Sequence, residues 1–238
     1  MKRGCVAVCL LGLSVAAIAG QPHALSAGMT AYEAHDFAMA LADFRLAAGS
    51  GDARAQFALG TMYAHGQGVP RDDAEAAKWI RLSAQRGFAP AQFLFGLMTE
   101  LGDGARGNLS AGAGWIRLAA QHGYAPAQFQ LGLMHSSTGE GVDHSITKAI
   151  KWYRLAAREG YLPAQLQLGS AYYSGQGVPQ SYIKAGMWWA ETFASAVRVI
   201  FNYAQHETSV WWAAQHRAAT DHTRSLTDGQ MAKRDGPH

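Results

Sequence analysis

A unit of 36 or 37 residues recurs through most of this chain, and no other feature restricts its fold as strongly. Four windows align: GQGVPRDDAEAAKWIRLSAQRGFAPAQF from Gly66, GDGARGNLSAGAGWIRLAAQHGYAPAQF from Gly102, GEGVDHSITKAIKWYRLAAREGYLPAQL from Gly139 and GQGVPQSYIKAGMWWAETFASAVRVIFN from Gly175. Their starts are 36, 37 and 36 residues apart. The Ala-Gln pairs beginning at Ala55, Ala91, Ala127 and Ala164 keep the same step, and so do Trp79, Trp115, Trp152 and Trp188. Chance does not bring so many columns into register.

Each unit reads as a pair of helices. Ala55, Leu59, Met62 and Tyr63 recur at i, i+4, i+7 and i+8, one face of a helix. Gly66 and Gly68 end it, because glycine accepts the left-handed backbone at little cost. Val69 is expected to tuck beneath the turn. The second helix starts at the column Asp72, Asn108, Ser145 and Ser181, all residues whose side-chain oxygen takes a free amide of the first turn. Glu75, three positions after Asp72, gives the outline of a capping box. Gly87, Gly123 and Gly160 close the second helix, and Pro90, Pro126 and Pro163 suit the first turn of the next.

Small residues indicate close helix packing. Gly60, Gly96, Gly132 and Gly169, with the alanines of the Ala-Gln pairs, let neighbouring helices approach, and the tryptophans fill the space between units. A helical wheel turns the Ala55 face toward the hairpin partner and the Phe57 and Gly60 face toward the neighbouring unit. Ala58 and Thr61 then stay open, with their equivalents Leu94 and Leu97, Gln130 and Leu133, and Gln167 and Ser170. In solenoids the first helices line the concave surface, where extended partners bind. On this reading Leu94, Leu97, Gln130, Leu133, Gln167 and Ser170 form a binding ladder. The alternative places the leucines in the core.

The pattern A-Q-x-x-L-G-x-x-Y-x-x-G-x-G-V followed by A-x-K-W-Y-x-x-A-A-x-x-G resembles the Sel1-like repeat, a relative of the tetratricopeptide repeat. The resemblance covers roughly residues 53–187. It implies an all-α, right-handed superhelical solenoid with a partial leading unit at 20–52 and a helical C-terminal cap at 188–226, before a polar tail at 227–238. Thr99 and His135 replace the repeat's usual tyrosine, kept as Tyr63 and Tyr172, and the second unit reads GDGAR in place of GxGVP. Gly107, Gly112 and Gly114 make that unit's second helix the weakest by propensity, each internal glycine costing about 0.5–1 kcal/mol relative to alanine. It is either a soft point or a drift that packing tolerates.

Residues 1–19 carry the marks of a signal peptide: Lys2 and Arg3, an apolar run from Cys5, and the small residues Ala17 and Ala19. The run is short for a membrane span. Both cysteines, Cys5 and Cys9, fall inside it, so the mature chain is expected to have no disulfide and no thiol nucleophile. Without Lys2 and Arg3 the chain keeps 18 basic against 17 acidic residues, a balance that gives no reason to expect nucleic acid. Toward the C-terminus, Trp188, Trp189, Phe193, Phe201, Tyr203, Trp211 and Trp212 make an aromatic stretch, with Trp211 and Trp212 either buried in the cap or exposed as anchors.

Catalytic motifs are fragmentary. GQGVP lacks the third glycine of a dinucleotide loop and follows a helix, so it reads as a turn. Ser145-Ile146-Thr147-Lys148 matches S-x-x-K, but Ser145 stands in the N-cap column and no S-D-N or K-T-G follows. His206-Glu207-Thr208-Ser209-Val210 is one ligand short of H-E-x-x-H, so no metal and no cofactor is expected. The resemblance implies an exported adaptor or regulator that binds a protein or peptide in the cell envelope, in the periplasm or outside the cell. The alternative is an envelope hydrolase acting on β-lactams or peptidoglycan, since cysteine-rich Sel1-like relatives act on β-lactams.

Overall fold

The computed structural model of the chain describes residues 21–101, 108–137, 142–194 and 196–198. Among them are α1 (Gln21–Glu33), α2 (Phe37–Gly49), α3 (Ala53–His65), α4 (Asp73–Gln85), α5 (Ala89–Leu101), α6 (Leu109–Gln121), α7 (Ala125–Ser136), α8 (Ile146–Arg158) and α9 (Leu162–Ser174). Residues 182–194 are helical again, and no described residue is in a strand. Every helix packs on the helix before and after it, most extensively within the pairs α1/α2, α3/α4, α5/α6 and α7/α8. The result is an all-α solenoid of stacked helix pairs. Residues 20–52 supply α1 and α2, each 13 residues long like most of the repeat helices. Residues 1–20, which hold the expected signal peptide at 1–19, the eroded loop at 102–107 and the chain beyond 198, with Trp211, Trp212 and His206, lie outside the described residues.

The punctuation of the sequence sets the helix ends. Gly66 and Gly175 hold φ of 68° and 76°, the left-handed conformation that stops α3 and α9. Asp72 accepts hydrogen bonds from the amides of Ala74 and Glu75, both at 3.0 Å. Asn108 accepts from Ala111 at 2.9 Å, Ser145 from Lys148 at 3.4 Å and Ser181 from Lys184 at 3.3 Å. The capping box at Glu75 does not close. Its carboxylate pairs with Lys78 at 2.9 Å, while the amide of Asp72 donates to the carbonyl of Tyr63 at 3.0 Å. The same inter-helix bond runs from Asn108 to Thr99, Ser145 to His135 and Ser181 to Tyr172, so each loop is sewn to the helix it leaves.

The helical wheel needs one correction. The Gly60 face meets its own hairpin partner: a Cβ there would lie 2.8 Å from Ile80 and 3.2 Å from the Ala76 carbonyl. Gly96 stands likewise against Ile116 and Gly112, Gly132 against Tyr153, and Gly169 against Trp189. Ala55 instead belongs to the core cluster with Leu41, Phe44, Ala47 and Ala48 of α2. The reason is that α3 and α4 touch along glycine and isoleucine, whereas α2 and α3 touch along alanines. Phe57 stands edge-on to Phe88 at 5.4 Å, the residue that leads into α5, and Phe93–Tyr124 and Phe129–Tyr161 repeat that contact at the following junctions. Trp79 and Trp152 pack half-buried against the clusters that precede them, while Ile80, Ile116 and Tyr153 sit deeper. Val69 packs beneath its turn as expected.

Each Ala-Gln pair also ties two units together. The side-chain amides of Gln56, Gln92 and Gln128 donate to the carbonyls of Ala48, Ala84 and Ala120 at 3.2 Å, and Gln165 donates to Ala157 at 3.3 Å. Those carbonyls lie in the last turn of the preceding helix and also accept from the amides of Gly51, Gly87, Gly123 and Gly160, so the glutamines add a second bond from the next unit.

Candidate interaction surface

Two grooves open between successive first helices, at opposite ends of the described solenoid. The N-terminal groove, about 320 Å³, lies between α1 and α3 and is lined by Leu25, Met29, Tyr32, Phe57, Ala58 and Thr61. The C-terminal groove, about 410 Å³, runs between α7 and α9 over α8, with Leu133, Tyr153, Gln167, Ser170, Tyr173 and Trp189 on its walls. Ala58 and Thr61 in the first, and Leu133, Gln167 and Ser170 in the second, belong to the ladder columns. Both grooves therefore fall along one line of the solenoid.

The remaining ladder positions divide by burial. Leu94, Leu97, Gln130 and Leu133 are half-buried, and Gln167 and Ser170 are exposed. Leu97 packs against the cluster of Ile116 and Leu131, and Leu133 against that of Ile150 and Leu168. These two leucines thus support the core from the side that faces the grooves.

Trp189 belongs to the aromatic stretch singled out in the sequence, but sequence reasoning passed over Tyr173 and Tyr153 on the walls of the C-terminal groove. Tyr173 stands three positions after Ser170, one turn further along α9, and Trp189 enters from the helical residues 182–194. Tyr173 contacts Trp189 at 5.8 Å and Tyr182 at 5.4 Å between ring centres. The Gln180 side-chain amide donates to the Tyr173 carbonyl at 2.9 Å and to the Tyr182 hydroxyl at 3.0 Å, which fixes this cluster. On the opposite wall the hydroxyls of Ser136 and Tyr153 are 3.1 Å apart, and burial pushes the Tyr153 phenol above its ordinary pKa. The i+3 step from the ladder was the available signal for Ser136 and Tyr173.

The S-x-x-K serine is occupied as a cap. Ser145 accepts from the Lys148 amide, and the Lys148 ammonium turns away to Asp143, with Nζ 2.6 Å from Oδ2. That hydrogen bond holds the Asp143 carboxyl below its ordinary pKa. Asp143 also places its carbonyl 2.8 Å from Nδ1 of the buried His135, the residue standing in the tyrosine column. Where tyrosine is kept, its hydroxyl accepts from an arginine of the preceding helix: Tyr63 from Arg45 at 3.0 Å and Tyr172 from Arg154 at 3.1 Å. Among the described residues no three His, Cys, Asp or Glu side chains gather where they would hold a metal ion. None of the described helices is long and apolar enough to cross a membrane.

Stacked helix pairs with grooves between their first helices define a repeat scaffold of the tetratricopeptide-like kind. The Sel1 repeat family profile matches residues 53–88, 89–124, 125–161 and 162–192, more than half of the chain. The chain belongs to the Sel1 repeat family. It is similar to a Sel1 repeat protein from Oxalobacter formigenes, with 33% identity and a TM-score of 0.61 over 66% of this chain and 64% of that one. It is also similar to a protective antigen of uropathogenic Escherichia coli strains that displays an SLR fold, with 32% identity and a TM-score of 0.60 over 69% of this chain and 36% of that one. The match spans less than two thirds of the length of either relative. A search of curated proteins gives no match. Sel1 repeat proteins generally mediate protein–protein interaction, and the scaffold is typically non-catalytic.

Proposed function

We propose that this protein is an exported adaptor of the cell envelope, periplasmic or secreted, that binds a protein partner along the face carrying both grooves and regulates it. The observation that carries the reading is the alignment of the ladder columns with the grooves at both ends of the solenoid. An extended segment lying along the first helices would set apolar side chains into the N-terminal groove, with Leu94, Leu97 and Gln130 between the two. The N-terminal leader supports export. The hydrolase alternative gains nothing from Ser145, whose hydroxyl caps α8.

Capture from an envelope extract tests the reading. The full chain is expected to retain a specific protein. Leu94→Arg and Gln167→Arg together should reduce that retention while the helical circular dichroism stays unchanged. Retention that survives both substitutions would place the partner elsewhere on the molecule.

A further inference from the structure

The two grooves differ in chemistry. Apart from Arg54 and Thr61, the side chains around the N-terminal groove are apolar or aromatic. None of the side chains lining the C-terminal groove is an acid, a lysine, an arginine or a histidine. Its polar side-chain atoms come from Ser136, Gln167, Ser170, Ser174 and Gln176, with the hydroxyls of Tyr153 and Tyr173 and the indole N–H of Trp189. The hydroxyls of Ser136 and Ser174 donate to backbone carbonyls and so can accept from a ligand, while the groups of Gln167, Ser170 and Gln176 both donate and accept, which matches a ligand whose own groups do the same. Beside them stand aromatic rings with free faces: Tyr173 is 55% exposed, Tyr182 64% and Trp189 39%. These rings are held before any ligand arrives, by their mutual contacts and by the bonds from Gln180. A fixed aromatic platform loses little freedom on binding.

We propose that the groove between α7 and α9 binds a neutral carbohydrate, a short run of hexopyranose rings. A pyranose presents an apolar face of C–H groups, which packs on the electron-rich face of an aromatic ring. Its edge carries hydroxyls that both donate and accept, as the side chains of Gln167, Ser170 and Gln176 do. Charge matching excludes the acidic and basic alternatives, because the groove offers no counter-ion to either. The volume of about 410 Å³ falls in the ordinary range for small-molecule sites. The inference shares the C-terminal groove and Gln167 with the protein-binding reading, but the two fail separately: a partner can be captured while sugar binding fails, and the reverse.

Saturation-transfer NMR on the full chain with chitotriose and cellotriose tests it. At least one of these sugars should receive saturation at its ring protons. Tyr173→Ala and Gln167→Ala should each weaken binding at least about tenfold. Tyr173→Phe, which keeps the ring, should retain it, and so should Met29→Ala in the other groove. Circular dichroism confirms that each variant is folded. The proposal is overturned if neither sugar takes up saturation, or if transfer persists unchanged in Tyr173→Ala. It is equally overturned if nuclear Overhauser contacts show residues 199–238 of the chain already lying against Tyr173.

Discussion

Gln92 and Gln128 hold the same place in successive repeats and differ by one bond. Each donates its amide to an alanine carbonyl at 3.2 Å. The Gln92 carbonyl oxygen also lies 2.8 Å from His122 Nδ1, whereas the Gln128 oxygen is buried without a partner. Replacing Gln92 removes two bonds, while replacing Gln128 removes one bond together with an orphaned acceptor. A typical net hydrogen bond contributes about 1 kcal/mol, and a stranded buried group costs about 1–3 kcal/mol. Gln92→Leu should therefore destabilise the chain by about 2–4 kcal/mol more than Gln128→Leu in urea denaturation. His122→Ala should add fully to Gln128→Leu and less than fully to Gln92→Leu, with a coupling of about 0.5–1.5 kcal/mol. Equal costs for the two glutamines would show that neither the His122 bond nor the stranded Gln128 oxygen matters to stability.

At the scale of elements, α6 holds two glycines with opposite meanings. A Cβ at Gly112 would come within 2.7 Å of the Gly96 carbonyl, so this glycine is where α5 and α6 approach most closely. A Cβ at Gly114 would meet nothing within 4 Å. Gly114→Ala should stabilise the chain by about 0.5–1 kcal/mol through helix propensity alone. Gly112→Ala should destabilise it by about 1–3 kcal/mol as an overpacked site. Thermal unfolding of the two variants separates these outcomes, and equal effects would refute the packing role. Glu100 of α5 lies against Gly112, with one carboxylate oxygen buried and unpartnered, and burial raises its pKa from 4.5. The charged form is thus the one the fold disfavours. Its penalty is absent below the unfolded pKa of about 4.5 and grows as pH rises through the higher folded value. Glu100→Gln should be more stable than the parent at pH 7, and the two should converge as pH falls toward 4.5. A gap independent of pH would contradict this. Helix bounds were legible because glycine, cap residue and proline are local signals. The facing of Gly60 was not, since a wheel shows that a face is small without saying which helix fills it. The groove walls escaped for a related reason: Tyr153 and Trp189 come from elements distant in sequence from the ladder they stand beside.

Among the described residues, helices pack extensively only with their neighbours along the chain, so stability passes from unit to unit and the terminal units decide what the ends expose. The last of the described helical residues present Ile183, Met187 and Phe193 largely, and Val197 about half, to solvent, an apolar face of the kind monomers seldom leave open. The 40 residues from 199 to 238 include Phe201, Tyr203, Trp211 and Trp212, enough apolar side chains to cover it. A chain ending at Arg198 should then self-associate through this face, and light scattering should give a mass well above that of one copy. Its unfolding should also become concentration-dependent, because association stabilises the folded form by mass action. Adding Ile183→Lys and Met187→Lys to the shortened chain should return it to a monomer, since two charges cannot be buried unpaired in such a contact. The same substitutions in the full chain should lower its stability if residues 199–238 rest on this face, and should leave it unchanged if they do not. A shortened chain that stays monomeric at every concentration, with unfolding unchanged, would show that the apolar end needs no cover.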